Sequence, residues 1–203
     1  ASQVRPGAIA PWQAAWPDGW EAAAEAALAD DHRTTLLAQV AHGALMHDLV
    51  AGFGVRPSAV VGYSLGETAG FVATRTWTDR DELARRMATT TLFTEELGGR
   101  YAAAARAWGL PAGEAAQWTL GVVDRSPAVV KGAIADLPRA YLLIVNAPGE
   151  CVLGGDPAHV AQAVERLGCT WVELSGVTSV HCAVAAEVEE PYRALHDLPV
   201  TPP

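Results

Sequence analysis

From Thr34 to Phe53 apolar residues recur at helical spacing (Leu36, Leu37, Val40, Ala41, Leu45, Leu49, Val50), which predicts a buried amphipathic helix closed by Gly52 and Gly54. Ahead of it, Trp20 to Ala29 is alanine-rich and helix-prone. The first twenty residues, with Pro6, Pro11, Pro17 and three tryptophans, read as irregular chain wrapping a surface. A short apolar run, Ala59 to Gly62, then leads through Tyr63-Ser64-Leu65-Gly66-Glu67 into small residues of helical character up to about Ala73. That is the pattern of strand, tight turn and helix. Thr78-Asp79 is a start of N-cap type for a further helix over Asp81 to Phe93.

The pattern changes after residue 117. Strands are predicted at 118–123, 140–146, 150–154 and 169–174, with helices at 127–135 and 157–167. The order β-α-β-β-α-β is that of a ferredoxin-like unit. Its size suits a small subdomain, residues 118–175, inserted in a larger α/β body made of residues 1–117 and 176–203.

Composition narrows the classes. The chain has 203 residues, half of them hydrophobic and 18% charged, which is enough for a packed core. A net charge of −9 argues against nucleic acid as the partner. No apolar run reaches the length of a membrane span and no signal peptide opens the chain, so a cytoplasmic location without membrane attachment is expected. Cys151, Cys169 and Cys182 form neither a disulfide framework nor a zinc site. They read as reduced thiols, and no metal is expected. The opening ASQVRPGAIAPW and the closing LPVTPP both read as cuts from something longer.

Gly62-Tyr63-Ser64-Leu65-Gly66 is a G-x-S-x-G motif between a predicted strand and a predicted helix. A sharp turn there strains the serine backbone and lifts its hydroxyl out of the sheet. Gly62 and Gly66 are expected to be required because side chains would collide with the neighbouring strand and helix. Ser64 then stands at a helix N-terminus, where the Leu65 N–H can donate to an oxyanion. A serine needs a base. His32, His42, His47, His159, His181 and His196 are available. His42 and His47 lie within a predicted helix, and His159 lies on the helix of the small subdomain. His181 arrives from distant sequence after Gly176-Val177-Thr178-Ser179-Val180, on a loop following the last strand. It is the preferred partner for Ser64.

These residues resemble the malonyl-CoA:acyl-carrier-protein transacylase family in its modular-synthase acyltransferase form. Gly54-Val55-Arg56-Pro57-Ser58-Ala59-Val60-Val61-Gly62-Tyr63-Ser64-Leu65-Gly66-Glu67 is similar to that family's signature around the nucleophile. Asn146-Ala147-Pro148, Val152-Leu153-Gly154-Gly155-Asp156-Pro157, and His181 with Leu195 to Pro203 resemble three later segments in the same order. The resemblance implies a hydrolase-like α/β body with the ferredoxin-like unit covering the cleft. It implies ping-pong acyl transfer from an acyl-coenzyme A to the phosphopantetheine thiol of an acyl carrier protein. Ser64 is the nucleophile, His181 is the base, and backbone carbonyls rather than an aspartate orient the histidine. No cofactor is implied beyond coenzyme A as substrate and phosphopantetheine on the carrier. Partners would include the carrier and neighbouring synthase domains such as a ketosynthase.

Departures from the pattern bear on the cargo. Tyr63 stands where histidine is usual, and Val180 and Cys182 replace an aromatic and a serine around His181. His32 stands where the family has a glutamine near the substrate, and Asn146 belongs with Tyr63 and Val180 among expected substrate-binding positions. Thr89 occupies the position of the arginine that binds the malonyl carboxylate; threonine cannot make a bidentate pair. Either the acyl group has no free carboxylate, or Arg85 or Arg86 on the same predicted helix replaces it. The second oxyanion donor and the first strand of the family would lie before residue 1, so the chain reads as the central part of such a domain. The variant motifs most resemble polyunsaturated-fatty-acid and heterocyst-glycolipid synthases, with iterative enediyne synthases next. A hydrolase that releases stalled acyl groups and a silent docking domain remain the alternatives.

Overall fold

A computed structural model of the chain describes residues 17–29, 31–175 and 178–201. The irregular run expected over residues 1–16, Gly176-Val177 and the closing Pro202-Pro203 lie outside the described residues. The chain divides into two compact units. One runs to Thr90 and resumes at Glu190; the other is Thr91–Glu189.

In the first unit the helices are α1 (Trp20–Ala29), α2 (His32–Gly52), α3 (Leu65–Ala73), α4 (Glu82–Thr89) and α8 (Glu189–His196). Asp31 caps α2, accepting from the Thr34 N–H at 2.9 Å. The helix ends where Gly54 takes φ 84 and returns its N–H to the Ala51 carbonyl. Small residues set the packing of α2 on α3. Only 3.2 Å separates the Cβ position of Gly43 from the Ala69 Cβ, and Ala38, Val40 and Ala44 are the buried residues of α2. The buried apolar stripe expected along the whole of α2 is therefore realised only in part. Leu45, Leu49, Val50 and Phe53 are exposed, Phe53 by 82%, and the described contacts of the C-terminal half run instead through Gly43 to Ala69 and through Asp48 to Arg80.

The strand expected at Ala59–Gly62 does not form. Its residues belong to no ladder among the described residues, and Val61 is 95% exposed. A strand exists only through pairing, and this run has no described partner. The helix expected over Asp81–Phe93 is shorter, because Thr90 turns extended (φ −79, ψ 146) and Leu92–Glu96 winds a wider turn. The Thr78-Asp79 cap is also displaced: Asp79 accepts from the Asp81 N–H at 2.9 Å, and the helix begins at Glu82.

The second unit contains α5 (Ala102–Ala107), β1 (Thr119–Val123), α6 (Pro127–Ala133), β2 (Ala140–Ala147), β3 (Glu150–Gly155), α7 (Pro157–Leu167), β4 (Trp171–Glu173) and a 3₁₀ turn, Ala183–Val188. Elements from β1 to β4 follow the expected β-α-β-β-α-β order and pair antiparallel in the order β2-β3-β1-β4. Their helices cover one face. Val123, Val130, Cys151, Leu153 and Ala163 are fully buried there, with Leu137, Val160 and Leu167 packed among them. Helix α7 keeps the expected bounds: Asp156 caps Ala158 and His159, Pro157 starts the helix, and Gly168 ends it at φ 50.

Arg80 ties the first unit together. Its Nε donates to the Val72 carbonyl at 2.9 Å and its Nη2 to the Ala73 carbonyl at 3.0 Å, capping the C-terminus of α3. The same guanidinium grips Asp48 on α2 at 2.8 and 3.2 Å. That grip, with smaller contributions from His47 and Arg75, holds the Asp48 carboxyl well below the usual carboxylate range. Arg80→Ala is expected to lower stability by about 1–3 kcal/mol, because the Ala73 and Val72 carbonyls lose the guanidinium bonds and Asp48 loses its partner. A depressed folded-state pKa contributes stability above the unfolded value and loses it as pH falls. The stability difference between the parent and Asp48→Asn should therefore be full at neutral pH and narrow below about pH 4 in urea melts.

Candidate active site

Ser64 precedes α3 with φ 50 and ψ −120, a left-handed conformation that a non-glycine residue adopts at a cost of about 1–3 kcal/mol. The turn is closed by two backbone bonds, Gly66 N–H to the Tyr63 carbonyl at 2.8 Å and Glu67 N–H to the Ser64 carbonyl at 3.0 Å. A Cβ at Gly62 would stand 2.3 Å from the Glu67 nitrogen and 2.4 Å from its Cα. The chain can therefore fold back on itself only because residue 62 is glycine. At Gly66 the expected collision is absent: no described atom lies within 4 Å of a Cβ built there. The strain and the exclusion at Gly62 together make a sharp elbow that displays an exposed serine.

Backbone commitments define what the elbow can offer. Gly66 and Glu67 donate to carbonyls of the turn, so the N–H of Leu65, first residue of α3, is the donor at the head of the helix. The helix dipole adds positive potential at the same end. Beside the elbow a cavity of about 540 Å³ is lined by Pro57, Ala59, Val60, Gly62, Glu67 and Phe71 among others.

The remaining expected residues are distributed as follows. His32 is the first residue of α2, and Thr89 is the last of α4. The Arg33 guanidinium donates to the Ala88 carbonyl at 3.3 Å, so these two helix ends are neighbours. The Thr89 hydroxyl donates to the Arg86 carbonyl at 3.1 Å. Neither candidate cation is uncommitted. Arg86 donates through Nε to Glu82 at 2.8 Å and through Nη1 to the carbonyls of Ala194 and Asp197 at 2.7 and 2.9 Å. Arg85 pairs with Asp79 and Glu82. The two arginines, Arg86 first, hold the Glu82 carboxyl below its ordinary range. Asn146, near the end of β2, donates to Glu150 across the hairpin at 2.9 Å.

His181 lies in the second unit, exposed, on a turn that also carries Val180 and Cys182. Four of the other five histidines have local structural partners. His42 and His196 bond the carbonyls one helical turn back at 2.7 and 2.9 Å. His47 faces Asp48 at 3.4 Å, and His159 accepts from the Arg139 N–H at 3.2 Å. All three cysteines are free thiols. Among the described residues no group of three or more His, Cys, Asp or Glu could hold a metal, and no helix is long and apolar enough to cross a membrane.

The sequence did not single out Ser179, which is fully buried two residues before His181. It also gave no warning of the aromatic stack beside Cys182. There Trp118 stacks on Tyr101, Trp108 and Tyr141 at centroid distances of 6.1, 5.8 and 5.9 Å. Only the chain's richness in tryptophan pointed toward such a cluster.

The fold is that of synthase acyltransferase domains. The acyltransferase domain of phenolphthiocerol/phthiocerol synthase A from Mycobacterium bovis (BCG) matches with a TM-score of 0.65 and 20% identity, over 84% of this chain and 60% of that one. MCAT from Streptococcus pneumoniae matches with a TM-score of 0.62 and 19% identity, over 87% of this chain and 56% of that one. The acyltransferase domain from the second module of the salinomycin polyketide synthase gives 0.61 and 22%, over 86% and 38%. The chain thus spans 60% or less of the length of each of these structures. No protein-family model and no curated protein matches the sequence.

The two glycines of the motif separate cleanly in a stability experiment. Gly62→Ala must displace the Glu67 backbone and is expected to destabilise by about 2–4 kcal/mol or prevent folding. Gly66→Ala, in a helix with open space at its Cβ, should leave the melting temperature unchanged or raise stability by up to about 1 kcal/mol. Circular-dichroism melts of the two variants check this.

Proposed function

We propose that the chain is an acyltransferase of the malonyl-CoA:acyl-carrier-protein transacylase family, working through Ser64 and His181. In this reading residues 118–175 are a ferredoxin-like subdomain within a hydrolase-like body. The observation that carries it is the Ser64 backbone, a strained elbow at a helix N-terminus in a chain with the fold of acyltransferase domains. The His181 reading is supported by its exposure on a turn that leaves the fully buried Ser179.

The chemistry runs in two halves. The Ser64 hydroxyl attacks the thioester carbonyl of an acyl-coenzyme A while His181 accepts its proton. The Leu65 N–H donates to the oxyanion as the tetrahedral intermediate forms. Collapse breaks the C–S bond, His181 returns the proton to the coenzyme A thiolate, and an acyl-serine ester remains. A carrier phosphopantetheine thiol then gives its proton to His181 and attacks the ester. The new thioester forms, and the proton goes back to the Ser64 oxygen. The cavity beside the elbow is in the size range of small-molecule sites.

The cargo in this proposal is an acyl group without a free carboxylate, acetyl or another, rather than malonyl. Thr89 offers no charge, and Arg85 and Arg86 each bind neighbouring carboxylates or carbonyls through two of their nitrogens.

Intact-mass spectrometry with a panel of acyl-CoAs tests the reaction. The parent should acquire one acyl mass and pass it to holo carrier protein, and Ser64→Ala should acquire none, with transfer reduced on the order of 10³-fold or more. Release of the label only as free acid would make the chain a hydrolase; absence of any adduct on the parent would favour the docking-domain alternative. For the cargo, Arg86→Ala should change the malonyl-to-acetyl ratio of kcat/KM by less than about threefold while lowering the melting temperature. A fall of roughly 10–100-fold in that ratio, the worth of a charged hydrogen bond, would assign the carboxylate to Arg86.

A further inference from the structure

We propose that Ser179 and Cys182 are positioning residues that clamp the turn displaying the His181 imidazole, an inference that rests on His181 being the general base. Ser179 is fully buried, and only it and Thr68 are buried polar side chains among the described residues. Its N–H donates to the Leu97 carbonyl at 2.8 Å, and its hydroxyl donates to the same oxygen at 3.3 Å. The acceptor is itself fixed. Leu97 is fully buried, and its N–H donates to the Leu92 carbonyl at 2.7 Å, closing the wide turn Leu92–Glu96. An alanine at 179 would fill nearly the same space with no hydroxyl to desolvate. Serine adds a second bond to one oxygen, which resists rotation of the chain two residues before His181.

The other side of the histidine is held by different forces. Cys182 is extended (φ −146, ψ 157), and its carbonyl accepts the Ala185 N–H at 3.0 Å at the start of the 3₁₀ turn. Its side chain packs on the cluster of Ala104, Ala105, Ala116 and Val184, beside Trp108, Trp118 and Tyr141. Trp108 Nε1 donates to the Tyr141 hydroxyl at 2.9 Å, and Arg139 lies over the Trp108 ring at 5.4 Å, so this wall is braced. Burial pushes the Cys182 thiol up, which keeps it protonated and makes it an apolar anchor rather than a competing nucleophile. A polar lock on one side and an apolar lock on the other fix the stretch of chain that carries the exposed His181 ring.

A general base must reach its proton at about 2.6–3.2 Å. Misplacement by about 1 Å costs on the order of 10²-fold. Ser179→Ala and Cys182→Ala are therefore expected to lower kcat for acylation of Ser64 by roughly 10–100-fold with KM within about twofold. The deciding measurement repeats both substitutions in a His181→Ala background. Clamping of the base predicts no further loss there, whereas a general structural defect would give the same fold-loss in both backgrounds and would overturn the proposal. If Ser179→Ala fails to fold, Cys182→Ala carries the same comparison. Parent-like rates in both single variants, with His181→Ala inactive, would overturn the clamp and leave the base assignment standing. A parent-like rate in His181→Ala would overturn the base assignment and the clamp with it.

Discussion

The first unit turns on one backbone constraint: Ser64 sits at φ 50 over a glycine whose Cβ could not exist there. The strain of about 1–3 kcal/mol has to be offset by the helix it opens. Nine residues of α3 are a short helix to carry that load, and such a length is marginal alone. Its far end is therefore informative. Arg80 fills two of the terminal carbonyls and ties them to Asp48 on α2, while Gly43 lets α2 approach Ala69 closely. Strain at the N-terminus and fixation at the C-terminus are parts of one arrangement. A helix free to fray would relax the elbow first.

What the sequence made legible follows the range of the forces involved. Helix α7 was readable to the residue because its signals are local: Asp156 before Pro157, an apolar stripe, Gly168 at the end. The elbow was readable for the same reason, and the β-α-β-β-α-β order came from alternating short periodicities. Where pairing or covering decides, the reading failed. Ala59–Gly62 has strand composition but no described neighbour to bond, and Leu45, Leu49 and Val50 of α2 follow a core pattern yet stay exposed. Short elements were missed for lack of periods. Six residues, Ala102–Ala107, show hardly two turns, and Pro191 disguises α8, where it falls in the tolerant first turn. Of the site, Ser64 and His181 were visible as motif and context, whereas Ser179 and the partners of Arg86 exist only through contacts distant in sequence.

Those partners change the weight of the arginine question. Sequence spacing made Arg85 and Arg86 equal substitutes for a cation at position 89. Geometry separates them by function instead. Arg85 joins a surface pair with Asp79 and Glu82, exposed and screened, which contributes little to stability. Arg86 bridges Glu82 to the carbonyls of Ala194 and Asp197, joining α4 to the end of α8. A guanidinium that holds two helices cannot turn to a ligand without loosening them. Recruiting it for a carboxylate would set binding against folding, which is the physical argument for a cargo without that charge.

A common principle links the two halves of the proposed dyad, each within its own unit. The nucleophile is held by steric exclusion, since the turn at Gly62 leaves the Ser64 backbone no relaxed alternative. The proposed base is held through its neighbours, since Ser179 is fully buried ahead of the exposed ring and Cys182 packs on the aromatic cluster after it. In both cases the residue proposed to react is exposed, while the backbone beside it is fixed by contacts of its neighbours. That is what preorganisation requires: the orienting cost is met on folding, before the substrate arrives. In the proposed dyad it would stand in for an acidic third member. An aspartate would orient the imidazole through its own hydrogen bond, whereas a clamped main chain restricts the same ring from beneath, through the backbone that carries it.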